Sequence, residues 1–201
     1  MKTRASGIFC FCIGLLAINC GKRENVVYQT TFTKADSLTE RYLSLQDSML
    51  TSWNTMINDD NQKIKAMHNL LHELSVTSSD ENNEYHAYEE QLNHLLQLRY
   101  DQYSLAEEDL IEEYDFASNL LVTELISQAE SRPEFAYNTT LQKLVEQIRT
   151  ADQRVNLYRE EYDAITSRYN LFLKQNQASL NEVTQKDSIE LKPLFQMTYG
   201  D

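Results

Sequence analysis

Residues 141–172 read LQKLVEQIRTADQRVNLYREEYDAITSRYNLF. With Leu141 at heptad position a, the a residues are Leu141, Ile148, Val155, Tyr162 and Tyr169. The d residues are Leu144, Ala151, Tyr158, Ile165 and Phe172. All are apolar or aromatic through five heptads, the pattern of a helix packed in left-handed coiled-coil fashion. The helix is expected over about 139–178. Tyrosines suit such a seam because the ring packs inside while the hydroxyl reaches the wet edge.

Working outward, two more helical stretches precede it. The first covers roughly 34–75, with Leu38, Tyr42, Leu45, Met49, Trp53, Met56 and Ile57, then Ile64, Met67, Leu71 and Leu74, on one face. Thr33 and Asp36 form a candidate cap. The polar patch Asn58-Asp59-Asp60-Asn61 interrupts the stripe, as a register slip or a short break would. The second stretch covers about 84–128, with Tyr88, Leu92, Leu95, Ala106, Leu110, Ala117, Leu121 and Leu125 inward. Polar connections at 76–83 and 129–137 separate the three.

The expected fold is therefore all-α: a bundle of three long antiparallel helices with coiled-coil-like packing, because short connections favour antiparallel neighbours. A short fourth helix in the C-terminal tail 179–201, or a second copy of the chain, would supply a fourth element. Glycine usage agrees. The 201-residue chain has no glycine from 22 to 199, and its only prolines are Pro133 and Pro193. Phosphate-cradling loops, nucleophile elbows and hairpins need glycine's freedom at positive φ. The net charge of −13 disfavours nucleic acid, which requires a basic face.

The N-terminus, MKTRASGIFCFCIGLLAINC, sets Lys2 and Arg4 before an apolar run from Ile8 to Ile18. That run is too short to span a bilayer, which takes ~20 residues, but suits a signal peptide. Ending at Asn19-Cys20-Gly21, it resembles a bacterial lipoprotein signal, with Ala17 and Asn19 departing from the usual lipobox. The resemblance implies a signal peptide over 1–19, a lipid on Cys20, and a tether over 20–33. Loss of 1–19 removes Lys2, Arg4, Cys10 and Cys12, leaving 16 basic against 31 acidic residues, a charge of −15. One cysteine then remains, so an intrachain disulfide or cysteine-ligated zinc site is excluded.

Residues 128–174 resemble the LemA family of bacterial envelope proteins. The likeness rests on the turn Pro133-Glu134-Phe135, then Leu141-Gln142, Arg154-Val155, Arg159, Tyr162-Asp163 and Tyr169-Asn170. Lys192-Pro193-Leu194-Phe195 looks like the family's C-terminal end, and Trp53 falls where the family has tryptophan. Asp163 stands where Asn is usual. The basic pair and proline that usually follow the tryptophan are missing, and a lipoprotein signal replaces the family's transmembrane anchor. The resemblance implies a bundle of helices (34–178) held at a membrane and facing away from the cytoplasm. It implies no enzymatic activity.

Other constellations are weaker. His68 and His72 are four apart, the spacing of a helical metal pair. Asn69 stands where a metalloprotease needs glutamate, however, and no third ligand is evident. Residues 80–131 hold 14 acids, with Glu107-Glu108-Asp109 and Glu112-Glu113-Asp115 at the centre and no Glu-x-x-His motif for a di-iron site. A solvated face is the expected role. The sequence thus favours a non-enzymatic envelope interaction or scaffold module without cofactor. Its partners would be the bilayer through acylated Cys20 and envelope proteins, including a second copy of itself, at the outer membrane or periplasmic face. The alternative is a metal- or ligand-binding sensor using His68, His72 and the acidic helix.

Overall fold

A computed structural model describes residues 32–76, 82–185 and 188–195. All elements below belong to the compact unit 33–201. The described residues form four α-helices: α1 (Lys34–Val76), α2 (Asn82–Gln97), α3 (Glu108–Glu130) and α4 (Thr139–Thr184). Short 3₁₀ turns lie at Ser104–Ala106 and Pro133–Ala136. There is no strand among the described residues. The expected signal peptide, Cys20 and nearly all of the expected tether lie outside them.

The ends of the long helices are set by local chemistry. At the start of α1, Asp36 accepts from the Thr33 amide at 2.8 Å while Thr33 Oγ1 accepts from the Asp36 amide at 3.1 Å. This reciprocal box satisfies amides that a first turn otherwise leaves unpaired. At the start of α4, Asn138 Oδ1 accepts from Thr140 and Leu141, and Gln142 Nε2 donates to the Phe135 and Ala136 carbonyls. Gln142 thereby ties the proline-containing turn to the helix that follows it.

The second helix, expected unbroken from 84 to 128, is two helices. It stops at Gln97 and restarts at Glu108. The Asp101 carboxylate accepts from the Tyr103 and Ser104 amides at 2.8 and 2.9 Å, and Ser104 Oγ accepts from the Asp101 amide. Side chains so placed offer the backbone an alternative to helical bonding. The break turns Leu105 inward and leaves Ala106, expected to be buried, exposed. Asn176 leaves helical geometry (φ −123°, ψ 15°) and kinks α4, so a short helical segment continues from the kink to Thr184 at the start of the tail where a short fourth helix was expected, and 188–195 are irregular.

Of the two alternatives at Asn58–Asn61, a register slip or a short break, no break occurs: α1 is continuous there. Side-chain partners pair α1 with α4 in falling order. Tyr42 meets Tyr169, Trp53 meets Tyr162, Asp59 meets Arg154, and Lys63 meets Asp152. On α4 the a residues Leu141, Ile148, Tyr162 and Tyr169 are buried as expected, but their partners are Val145, Arg159, Thr166, Leu173 and Leu180, one step beyond d. Of the d residues only Ala151 is buried; Leu144, Tyr158, Ile165 and Phe172 are half-buried, as is Val155. The core face is rotated because α2, α3 and the tail cover one side of the α1/α4 pair and leave d at an open edge.

Two apolar clusters result. One joins Ile64–Leu74 of α1 to α2, α3 and Leu141–Ile148 of α4. The other joins Tyr42–Met56 to Leu105 and Tyr162–Leu180. Each fully buried Leu, Ile or Met contributes about 1.5–3 kcal/mol of transfer free energy. Between the clusters lies a layer of charge.

Candidate functional site

That layer is built by residues whose local setting differs from what a stripe of leucines dictates. The polar patch of α1 does not point to water: Asp59 is buried and Asp60 half-buried. One turn on, Lys63 is 3% exposed. Its Nζ donates to Ser118 Oγ of α3 at 2.9 Å and lies 3.6 Å from both Asp60 Oδ1 and Asp152 Oδ1. Arg154 of α4 donates to Asp59 Oδ1, and Arg99, just past α2, donates to Asn61 Oδ1 at 2.6 Å.

Arg159 on α4 is 4% exposed. Its two terminal nitrogens each donate to one oxygen of Asp115 on α3 at 2.6 Å, a fork-to-fork pair. It also donates to the Tyr100 hydroxyl at 3.2 Å, and its guanidinium lies 4.8 Å from the Phe195 ring centre. Asp115, the last acid of the run on α3, therefore turns inward, while Glu108, Asp109, Glu112 and Glu113 are exposed as a solvated face.

Tyr114 donates to Asp60 Oδ2 at 2.6 Å. Burial, reinforced by the Asp60 charge and hydrogen bond, pushes its phenol well above the ordinary range. Burial also raises Tyr100, against the pull of Arg159. Burial disfavours the Arg159 charge, but the Asp115 carboxylate outweighs it and the guanidinium holds its proton more tightly than usual. At neutral pH both phenols are therefore protonated, Tyr114 donating to Asp60 and Tyr100 accepting from Arg159.

These groups enclose a cavity of about 180 Å³ lined by Asp59, Asp60, Lys63, Tyr114, Asp152 and Arg159 among others. It exceeds the ~10–15 Å³ that one water requires, and its walls are polar enough to hold a water cluster. Chemically, the arrangement cross-braces α1, α3, α4 and the break after α2 with paired charges.

The tyrosines give a sign-determined pH test. The fold keeps Tyr100 and Tyr114 protonated above the ordinary 10.0, where the unfolded chain releases those protons. Their contribution is fully present below pH ~10 and declines as pH rises beyond it, because the unfolded state then binds fewer protons. Alkaline titration followed by tyrosinate absorbance and circular dichroism should show these two ionising only as helix is lost. Full tyrosine ionisation with helicity intact would contradict the geometry.

The residues singled out by sequence fall as follows. Trp53, Tyr162 and Tyr169 are buried in the aromatic half of the core, and Leu141 is buried in the other. Pro133 opens the 3₁₀ turn and Gln142 braces it. Arg154 and Arg159 reach the charged layer; Val155 lines its cavity. Asn170 pairs with the backbone of the tail. His68 and His72 are exposed on α1, away from the layer. Among the described residues no group of three His, Cys, Asp or Glu is placed to hold a metal ion, and no helix is long and apolar enough to cross a membrane. Sequence reasoning missed Lys63, Tyr100, Tyr114 and Asp115. The available signal was the acidic patch at 58–61: an interruption in an otherwise apolar stripe that the helix does not break must face a buried partner.

Comparison with protein-family models, with curated proteins and with solved structures finds no match to this chain.

Proposed function

We propose that the chain is a lipid-anchored, non-enzymatic helical module of the bacterial cell envelope, LemA-like in type, that presents an interaction surface away from the membrane. The observation that carries this reading is the closed charge layer. Arg159 and Lys63 are each matched to carboxylates on other helices. Charges so committed stiffen a spacer rather than wait for a substrate. The falling order of α1/α4 partners supports an antiparallel pair at the centre of the module. Trp53, Arg154, Arg159 and Tyr162, which carry the family resemblance, converge around that layer, as a shared packing plan requires.

In this reading Cys20 holds the chain to the bilayer and the partners are envelope proteins. Its address is the outer membrane or periplasmic face. Labelling with an acyl-chain analogue in a bacterial host should mark the wild-type chain and place it in the membrane fraction. Cys20→Ser should lose the label, and a labelled Cys20→Ser chain would overturn the anchor. Photocrosslinking groups at Leu157 and Leu171, both exposed on α4, should capture envelope proteins in the cell. Recovery of the uncrosslinked chain alone from both positions would overturn the interaction role.

A further inference from the structure

The tail 188–195, SIELKPLF, lies against α4 in a way that helix packing does not require. Asn170 Oδ1 accepts from the Lys192 amide at 2.9 Å, and Asn170 Nδ2 donates to the Lys192 carbonyl at 2.8 Å. A side-chain amide thus pairs with both polar groups of one backbone residue. Asp163 Oδ1 accepts from the Phe195 amide at 2.9 Å. The Phe195 ring enters a box of Trp53, Tyr100 and Tyr162, with ring centres 6.4, 5.8 and 5.8 Å away, under the Arg159 guanidinium. Further along, Ile189 and Leu191 meet Leu173, Gln177 and Leu180 across a small cleft.

The spacings match. Asp163 and Asn170 are one heptad apart, ~10.5 Å along a helix. Lys192 and Phe195 are three residues apart, ~10 Å along an extended chain. One face of α4 is therefore a ladder in register with an extended peptide. Pro193 biases Lys192 toward extended backbone, so less order has to be imposed when the segment docks. The rungs read main chain, and the aromatic box reads the side chain three positions on.

The residue at which the tail leaves α4 is strained. Gln185, which closes α4, has φ 55°, ψ 32°, the left-handed region, and is the one non-glycine residue with positive φ among the described residues. Only three residues, 185–187, separate the helix from Ser188. A short connection that starts from a residue in an unfavourable conformation is a condition under which a segment leaves its own body for an identical seat on another copy.

We propose that this groove is a recognition site for an extended segment, and that the tail of a second copy of this chain occupies it in trans. The tail's own copy keeps the advantage in dilute solution through its high effective concentration. Exchange gains where copies are crowded and releases the left-handed turn at Gln185. The proposal goes beyond the envelope role and does not depend on the anchor.

Two full-length variants test it. Asp163→Ala/Asn170→Ala removes the rungs but keeps an intact tail; Phe195→Ala keeps the rungs but loses the aromatic hook. Each alone should sediment as a monomer. Their mixture should form a one-to-one pair. With fluorotryptophan incorporated only into the Phe195→Ala chain, its Trp53, the chain's only tryptophan, should become at least several-fold less accessible to quencher on mixing. A mixture that sediments as the sum of its parts, with that tryptophan still accessible, would overturn the proposal. If the double variant loses helicity, a synthetic SIELKPLF peptide replaces it as the probe. Saturable protection of Trp53 in Phe195→Ala supports the site, and its absence overturns it.

Discussion

Replacing Arg159 by alanine should lower the free energy of unfolding by about 3 kcal/mol, toward the lower end of the range for breaking a buried pair by removing one partner. The guanidinium is 4% exposed and makes both bonds to Asp115. Its removal leaves a carboxylate with no counter-charge and the Tyr100 hydroxyl without its donor. The Asp115 side chain retains 35% exposure, so water compensates it in part, which keeps the cost from the upper end. For a chain of this size the melting temperature should fall by about 6–12 °C. The double variant Arg159→Met/Asp115→Leu should recover much of the loss, because an apolar pair of similar volume avoids the desolvation of both charges. Urea unfolding of the wild type and these two variants checks the account. An Arg159→Ala chain within 1 kcal/mol of wild type would remove the layer from the list of things holding the helices in register.

Trp53→Ala should cost about 3–5 kcal/mol, the range for truncating a buried large aromatic. The indole lies edge-on to Tyr162 at 5.4 Å and to Tyr100 at 6.2 Å, and is stacked on Phe195 at 6.4 Å. One residue therefore joins α1, α4, the break after α2 and the tail. Its loss should be felt unevenly. Hydrogen exchange should accelerate most in Tyr42–Met56 and Tyr162–Leu180, which share its cluster. The Ile64–Leu74 region, in the other cluster across the charged layer, should change least. Trp53→Phe should cost less, because a ring still fills part of the box. Uniform acceleration in both halves would mean that the charged layer does not divide the core.

Much of this fold was legible in order along the chain. The heptads from Leu141 specified a long helix, and four of its five a residues are buried, Val155 being the exception. The Thr33/Asp36 cap and the start of α1 were also readable, because capping depends on residues three apart. The break at 98–107 was not. Asp101 and Ser104 are ordinary helix residues unless the backbone has reason to turn there. The reason lies with distant groups: Tyr100 seated among Trp53, Tyr114 and Phe195, and bonded to Arg159. The a-and-d reading of α4 held only in part, for a related cause: apart from Ala151 the d residues pack at the edge of the clusters, while the position after d is the buried one. Heptad position describes one helix, while the buried side depends on where the others lie.

The candidate site was the least legible part. Arg154 and Arg159 were marked through resemblance, and Asp115 was counted with a solvated acidic face. Lys63 carried no local signal. Its burial makes sense only with Asp60, Asp152 and Ser118 around it, at sequence separations of 3, 89 and 55.

By itself, then, the sequence determined that this chain is helical, glycine-free from 22 to 199 and acidic. Those properties follow from composition and from periodicities of three, four and seven residues, which are local. The tertiary structure alone decided which side of α4 faces inward, where the second helix breaks, and that the acidic patch of α1 turns inward to meet Arg154 and the buried Lys63. It also decided that Asp163 and Asn170 hold the tail. Each of these depends on a charge or a hydrogen-bonding group finding its complement far along the chain, because burial leaves such groups costly until they are paired.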